Sequence, residues 1–328
     1  MWLHRFAVLV SGSTVLLIAA GGLVTSTASG LAVPDWPTTY GWSMYSFPLD
    51  KMVGGILYEH GHRLIASGVG MLTIVLAVWL WLTESRPSVR RLGLFALAAV
   101  IAQGLLGGLT VRFFLPAPIS IAHAGLAQFF FCLTISIALF TSRGWRAPPR
   151  APFASAEDRI LRRIALATTV LIYAQILVGA TMRHTGAGLA IPDFPLVFGG
   201  LLPPEWTAGI VVHYTHRVGA LAVLLGVLAT AGHVLSHHRH SPELTRPAVT
   251  AVLLVLVQIA LGGLTVLSGR AVSFNTAHVV SGALLLATSL VITLRAWRAW
   301  LPSGDALDLS HATEADLSDA QTSVGVGV

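Results

Sequence analysis

The 328-residue chain is 10% charged and 55% apolar, with a formal net charge of +6. Soluble domains carry about 25% charged residues, so this composition excludes a large water-soluble globule and points to a polytopic membrane protein. Cys132 is the only cysteine, which excludes disulfides, iron–sulfur clusters and thiolate zinc sites within one chain.

Eight apolar segments follow in order: 6–24, 55–82, 92–111, 118–141, 164–180, 208–235, 248–267 and 273–296. Each is long enough to cross a bilayer as a helix. Fourteen of the twenty basic residues fall at the termini and in alternate connections (Arg5; Arg86, Arg90, Arg91; the run from Arg143 to Arg163; Arg239, Arg246; Arg295, Arg298). The positive-inside rule then predicts both termini in the cytoplasm, in agreement with an even number of spans. The charge excess therefore reports topology, with anionic lipid headgroups as its partner and no nucleic acid. The chain enters its first apolar segment directly after Met1-Trp2-Leu3-His4-Arg5, so the expectation is a retained first helix in a bacterial inner membrane. The predicted organisation is an N-terminal four-helix half over 1–141, a cytoplasmic linker over 142–163, a C-terminal half over 164–298 and a disordered cytoplasmic tail over 299–328.

Internal repetition supports those two halves. The stretch from Gly30 to Pro37 (GLAVPDWP) returns from Gly188 to Pro195 (GLAIPDFP), and Leu106 to Val111 (LGGLTV) returns from Leu261 to Val266. Gln103 returns as Gln258, His62-Arg63 as His216-Arg217, and Ala122-His123 as Ala277-His278. The near-constant offset predicts two pseudo-symmetric four-helix bundles that enter the membrane in the same direction.

Ionisable groups at the edge of hydrocarbon are costly and mark function. His62, His123, His216 and His278 each lie one to two turns inside a different predicted helix, at matched depth. One imidazole per helix, in two pairs, suits haem iron held between facing helices of a bundle. Zinc or copper would accept the same donors. Gly107-Gly108, Gly262-Gly263, Gly125 and Gly282 would let backbone approach a flat macrocycle, or serve close helix packing. Arg63 and Arg217 follow a ligand directly, so neither points at the metal; each would reach outward to a haem propionate or to lipid phosphate. Three residues before the ligand, Glu59 in the first half is replaced by His213 in the second. At that spacing Glu59 shares a helix face with His62, where it would accept a proton or stabilise positive charge, or else pair with Arg63. His213 is an accessory residue in this reading. The Pro-Asp loops are structural lids, with a role for Asp35 or Asp193 in proton movement as the minor alternative. His233, His237, His238, His240 and His311 are read as solvated residues of the inner face and tail.

On these motifs, over residues 6–298, the sequence resembles the haem A synthase family. The resemblance implies a haem b cofactor between His216 and His278 and a haem O substrate between His62 and His123, with Glu59 catalytic. It implies oxidation of a ring methyl of haem O to a formyl group, through a hydroxymethyl intermediate, for cytochrome oxidase. A haem O synthase, an electron acceptor and further copies of the chain are the other partners it allows. The alternatives are a bis-histidine two-haem electron carrier and a non-enzymatic haem chaperone or exporter. One departure is clear: some bacterial members carry a cysteine pair in an outer loop, and this chain has no cysteine outside its apolar segments.

Overall fold

A computed structural model describes residues 1–147 and 156–298; the tail with His311 and the middle of the predicted linker lie outside the described residues. The long helices are α1 (Trp2–Ser26), α2 (Gly55–Thr83), α3 (Pro87–Arg112), α4 (Ala117–Phe140), α6 (Ala156–His184), α7 (Ala208–His237), α8 (Pro242–Leu267) and α9 (Val272–Trp297). A one-turn helix, α5 (Arg143–Arg146), follows α4. All eight long helices are apolar enough to span a membrane. The shortest has 24 residues, so each is about 36 Å or longer against a hydrocarbon core of about 30 Å.

Most helices outrun their apolar stretch, because backbone hydrogen bonding continues into the headgroup region where side chains turn polar. The clearest case is α6, which starts at Ala156 with Glu157 and Asp158 in its first turn. Those acids complement the positive end of the helix dipole, and the helix takes in much of the segment expected to be linker.

Packing closes each set of four into a ring. In the first half α1 packs on α2 and α4, and α3 completes the ring between them; in the second α6 packs on α7 and α9, with α8 between. Each ring has its own buried apolar cluster, one around Leu76, Leu80, Phe130 and Ile137, the other around Leu161, Ile172, Leu285 and Ile292. A smaller cluster of Ile18, Phe131, Ala283 and Ala287 joins the halves. At the end that carries the long loops, Ser26 accepts from both Arg183 (2.9 Å) and Thr276 (3.0 Å), tying α1 to α6 and α9. At the opposite end the buried Glu84 carboxylate receives Arg86 at 2.9 Å and Arg146 at 2.9 Å.

The loops 27–54 and 185–207 share a construction. Asp35 accepts from Tyr40 N (2.7 Å), Gly41 N (2.9 Å) and Thr38 Oγ1 (2.6 Å). Asp193 accepts from Phe198 N (2.9 Å) and Gly199 N (2.8 Å). These carboxylates brace two tight turns whose central residues have positive φ: Tyr40 (51°) with Gly41 (76°), and Phe198 (52°) with Gly199 (78°). Glycine takes the second position without a Cβ penalty. Partial burial works against the charge on Asp35, but the three hydrogen bonds outweigh it and hold the carboxyl at about 2. Both aspartates thus act as turn braces, as a lid requires.

Candidate functional site

Four helix starts place the four histidines. His62 lies seven residues into α2, His123 six into α4, His216 eight into α7 and His278 six into α9. At 1.5 Å per residue, all four sit roughly 9 to 12 Å below the loop end of their helices. One imidazole per helix at one depth is the arrangement expected from the sequence.

Each imidazole rests against a glycine of a neighbouring helix. A Cβ built on Gly21 would come within 3.2 Å of His62 Cε1, and one on Gly179 within 2.9 Å of His216 Cε1. Likewise a Cβ on Gly107 would come within 3.2 Å of His123 Cε1, and one on Gly262 within 3.1 Å of His278 Cε1. The second glycine of each Gly-Gly pair faces a loop aromatic: a Cβ on Gly108 would come within 2.5 Å of the Trp36 ring, and one on Gly263 within 2.7 Å of the Phe194 ring. Gly125 packs on Leu177 and Gly282 on Gln258. Imidazoles, loop rings and packed side chains lie against these glycines, the close packing that was one of the two roles expected of them.

Glutamines orient the rings. His278 Nδ1 lies 3.1 Å from the Gln258 backbone carbonyl, which only accepts, so Nδ1 carries the hydrogen and Nε2 presents the lone pair, the atom a metal would take. The Gln258 amide approaches that Nε2 at 3.3 Å. Gln103 repeats this on His123 at 3.3 Å and donates to the His123 carbonyl at 3.0 Å. His216 has a further partner, Gln175, whose amide lies 3.0 Å from Nδ1 and donates to the His216 carbonyl at 2.6 Å. Sequence reasoning missed Gln175. The offset relating Gly21 to Gly179 places Leu17 at the equivalent position, so nothing repeats there to draw attention. His62 Nδ1 is correspondingly buried with no hydrogen-bond partner.

The His216 and His278 ring centroids are 6.4 Å apart, with planes at 70°. Imidazoles on opposite sides of one iron stand roughly 6 Å apart, from two metal–nitrogen bonds of about 2 Å and the two ring radii. The second pair therefore has the separation needed to clasp a common metal. His62 Nδ1, His123 Nδ1, Gln103 Oε1, Gln258 Oε1 and Arg217 Nε are among the buried polar atoms with no hydrogen-bond partner. Such groups are costly unless something satisfies them. The donor set is imidazole alone, with no thiolate, and suits haem iron.

The arginines turn to the loops. Arg63 donates to the carbonyls of Asp35 (2.8 Å), Thr38 (3.1 Å) and Val33 (2.9 Å). Arg217 donates to those of Leu196 (2.7 Å), Asp193 (2.6 Å) and Ile191 (3.1 Å). Loop carbonyls with no strand or helix to receive them need donors, and the five N–H groups of arginine supply several at once. Both guanidinia are thus loop clamps first, a role the sequence reading did not assign.

Glu59 and His213 also act on the loops. Glu59 Oε2 accepts from Val33 N at 2.8 Å, and His213 Nδ1 accepts from Ile191 N at 3.2 Å. The residues differ, yet each holds the equivalent loop amide. Glu59 Oε1 also pairs with Arg63 at 2.6 Å, with both side chains largely buried. In the first half alone, His60 adds a bond to Thr39 Oγ1 at 3.0 Å and a ring contact with Phe47.

Among curated relatives, a heme A synthase of Shouchella clausii is 32% identical over 82% of this chain and 88% of its own length. One from Halalkalibacterium halodurans is 30% identical over 89% and 97%, and one from Alkalihalophilus pseudofirmus is 29% identical over 89% and 96%. A family model described as COX15-CtaA, cytochrome oxidase assembly protein, matches residues 4–290, and the chain belongs to that family.

Proposed function

We propose that this chain is a haem A synthase, an oxidoreductase of a bacterial inner membrane that converts a ring methyl of haem O to the formyl group of haem A. The observation that carries the reading is the pair of matched imidazole seats, each backed by glycine and glutamine, with His216 and His278 at an iron-clasping separation. Membership in a cytochrome oxidase assembly family, and relatives named heme A synthase, favour the enzyme over a two-haem carrier or a chaperone.

In this reading His216 and His278 hold haem b, which supplies a one-electron redox centre when bound. Gln175 and Gln258 fix their rings, and Arg217 Nε, buried without a partner, is the donor offered to a propionate. His62 and His123 receive haem O. Glu59 lies three residues before His62 on one helix face, so its carboxylate brings negative charge to the substrate side, where positive charge developing at the porphyrin edge is stabilised. The Glu59–Arg63 pair and the loop it anchors keep that charge in place and exclude water from the reacting methyl. An isoprenoid tail on the substrate runs into lipid, which accounts for a site within the bilayer.

The test is expression in a host that makes haem O and lacks haem A, followed by extraction of pigment from its membranes. Haem A is expected with the intact chain and is absent without it. If only haem O is recovered from membranes that contain the folded, haem-loaded protein, the proposal fails.

A further inference from the structure

A second cluster of donor side chains lies at the opposite end of the molecule from the four histidines. His233 and His237 stand four residues apart near the end of α7, so both leave the same helix face. Their rings stack with 4.5 Å between centroids. Glu157, in the first turn of α6, brings its carboxylate to them, with Oε2 3.9 Å from His233 Nε2 and 3.6 Å from His237 Nε2. One ligand atom from each of the three residues lies within 4.8 Å of the others. These separations are long for hydrogen bonds. They approach the spacing of donors that share a tetrahedral ion, which at bonds of about 2.1 Å is about 3.4 Å.

The supporting bonds point the same way. His237 Nδ1 lies 3.2 Å from the His233 carbonyl; a carbonyl only accepts, so Nδ1 carries the hydrogen and the Nε2 lone pair faces Glu157. An imidazole held by a backbone carbonyl on one nitrogen and presented on the other is the usual setting of a metal-bound histidine. His233 Nε2 lies 3.0 Å from the Glu157 carbonyl, so Nε2 carries the hydrogen in this arrangement, and ligation through Nε2 moves that hydrogen to Nδ1. Beside them His238 Nδ1 lies 3.8 Å from Asp158 Oδ1, a second contact between the same helix ends.

We propose that Glu157, His233 and His237 form a binding site for a divalent transition ion of the zinc class, joining the start of α6 to the end of α7. Two imidazoles with one carboxylate select zinc, nickel or copper over magnesium or calcium, which prefer oxygen donors. Two histidines at i and i+4 on one helix are a recurrent zinc-binding pattern. The site lies on the outside of the second ring and shares no residue with the haem seats.

The test uses the full-length, haem-loaded protein without a histidine tag, dialysed against zinc sulfate and analysed for bound metal. The intact protein is expected to retain one more equivalent than Glu157→Gln or His237→Ala, with affinity at least about tenfold weaker in either variant. Zinc is expected to raise the thermal midpoint of the intact protein alone, while magnesium does not. His237 is exposed and distant from the haem seats, so unchanged haem absorbance in His237→Ala certifies its fold. Equal zinc retention by the intact protein and a His233→Ala/His237→Ala double variant overturns the proposal. So does loss of retention in His240→Ala with these three residues intact.

Discussion

Glu59→Gln separates the charge of the site from its architecture. The glutamine keeps shape and one carbonyl oxygen, so it still accepts from Val33 N, now 2.8 Å from Glu59 Oε2. It loses the charge-assisted bond to Arg63, now 2.6 Å long and largely shielded from water. Arg63 retains its three loop carbonyls, so the guanidinium is not stranded and the expected loss of stability is only about 1–2 kcal/mol. The loss in turnover is larger. Removal of a preorganised group facing transition-state charge costs on the order of a hundredfold or more. The assay is conversion of haem O to haem A in membranes, read from extracted pigment, alongside haem content and thermal midpoint. Glu59→Gln is expected to hold haem and convert very little. Glu59→His is the control that the second half suggests, because an imidazole at the equivalent position accepts the Ile191 amide at 3.2 Å. It should restore the loop contact without restoring turnover. Wild-type turnover in Glu59→Gln would refute the role of the charge, and recovery in Glu59→His would reassign Glu59 to loop anchoring.

Three further outcomes follow from the geometry. His216→Leu or His278→Leu should abolish the bis-imidazole haem spectrum of the purified protein, and persistence of that spectrum in either variant would contradict the pairing. Gln175→Leu, which copies Leu17 of the first half, removes the contacts at 3.0 and 2.6 Å to His216; haem b should wash out at least about tenfold faster, with a normal rate counting against Gln175. Asp35 titrates at about 2 in the folded protein against an ordinary 3.8. A depressed carboxylate contributes stability above its unfolded value and loses it as pH falls, here between about 4 and 2. After screening by solvent the contribution is at most about 1 kcal/mol. The gap in thermal midpoint between the intact protein and Asp35→Asn should therefore be widest above pH 4 and close as pH falls to 2; a gap that widens on acidification would be inconsistent with the turn-brace role.

Much of this architecture is legible in the sequence because membranes simplify the problem. Backbone groups in hydrocarbon must be satisfied within a helix, so apolar length alone locates eight spans. Helix ends are harder to read, because α6 gains its first turns from Glu157 and Asp158 in a segment that hydropathy assigns to water. The histidine pairs are visible because duplication repeats them at one offset. Arg63 and Arg217 are visible as residues but not in their partners. The carbonyls they donate to lie 21 to 30 residues upstream, and adjacency to a histidine says only where an arginine does not point. The glycines leave two readings open for a similar reason. A missing Cβ announces a close approach, but whether an imidazole, an indole or a macrocycle makes that approach is set by elements elsewhere in the chain.

The departures from symmetry bear most directly on how one duplicated scaffold performs two tasks. A cofactor must stay and a substrate must leave, and the two seats differ in that sense. His216 is held by Gln175 on both its ring and its carbonyl, and the missing Cβ of Gly219 leaves room for the Gln175 amide in that position. The equivalent position beside His62 is Leu17, and His62 Nδ1 has no partner. A ring with fewer constraints reorients at lower cost when its ligand departs. The loop above each histidine pair is clamped by an arginine, but the first-half clamp alone includes a carboxylate, so its hold depends on a charge pair. The charge pair and the less constrained ring thus coincide in the first half, and the more tightly held ring lies in the second. That division matches an exchanging substrate beside a resident cofactor.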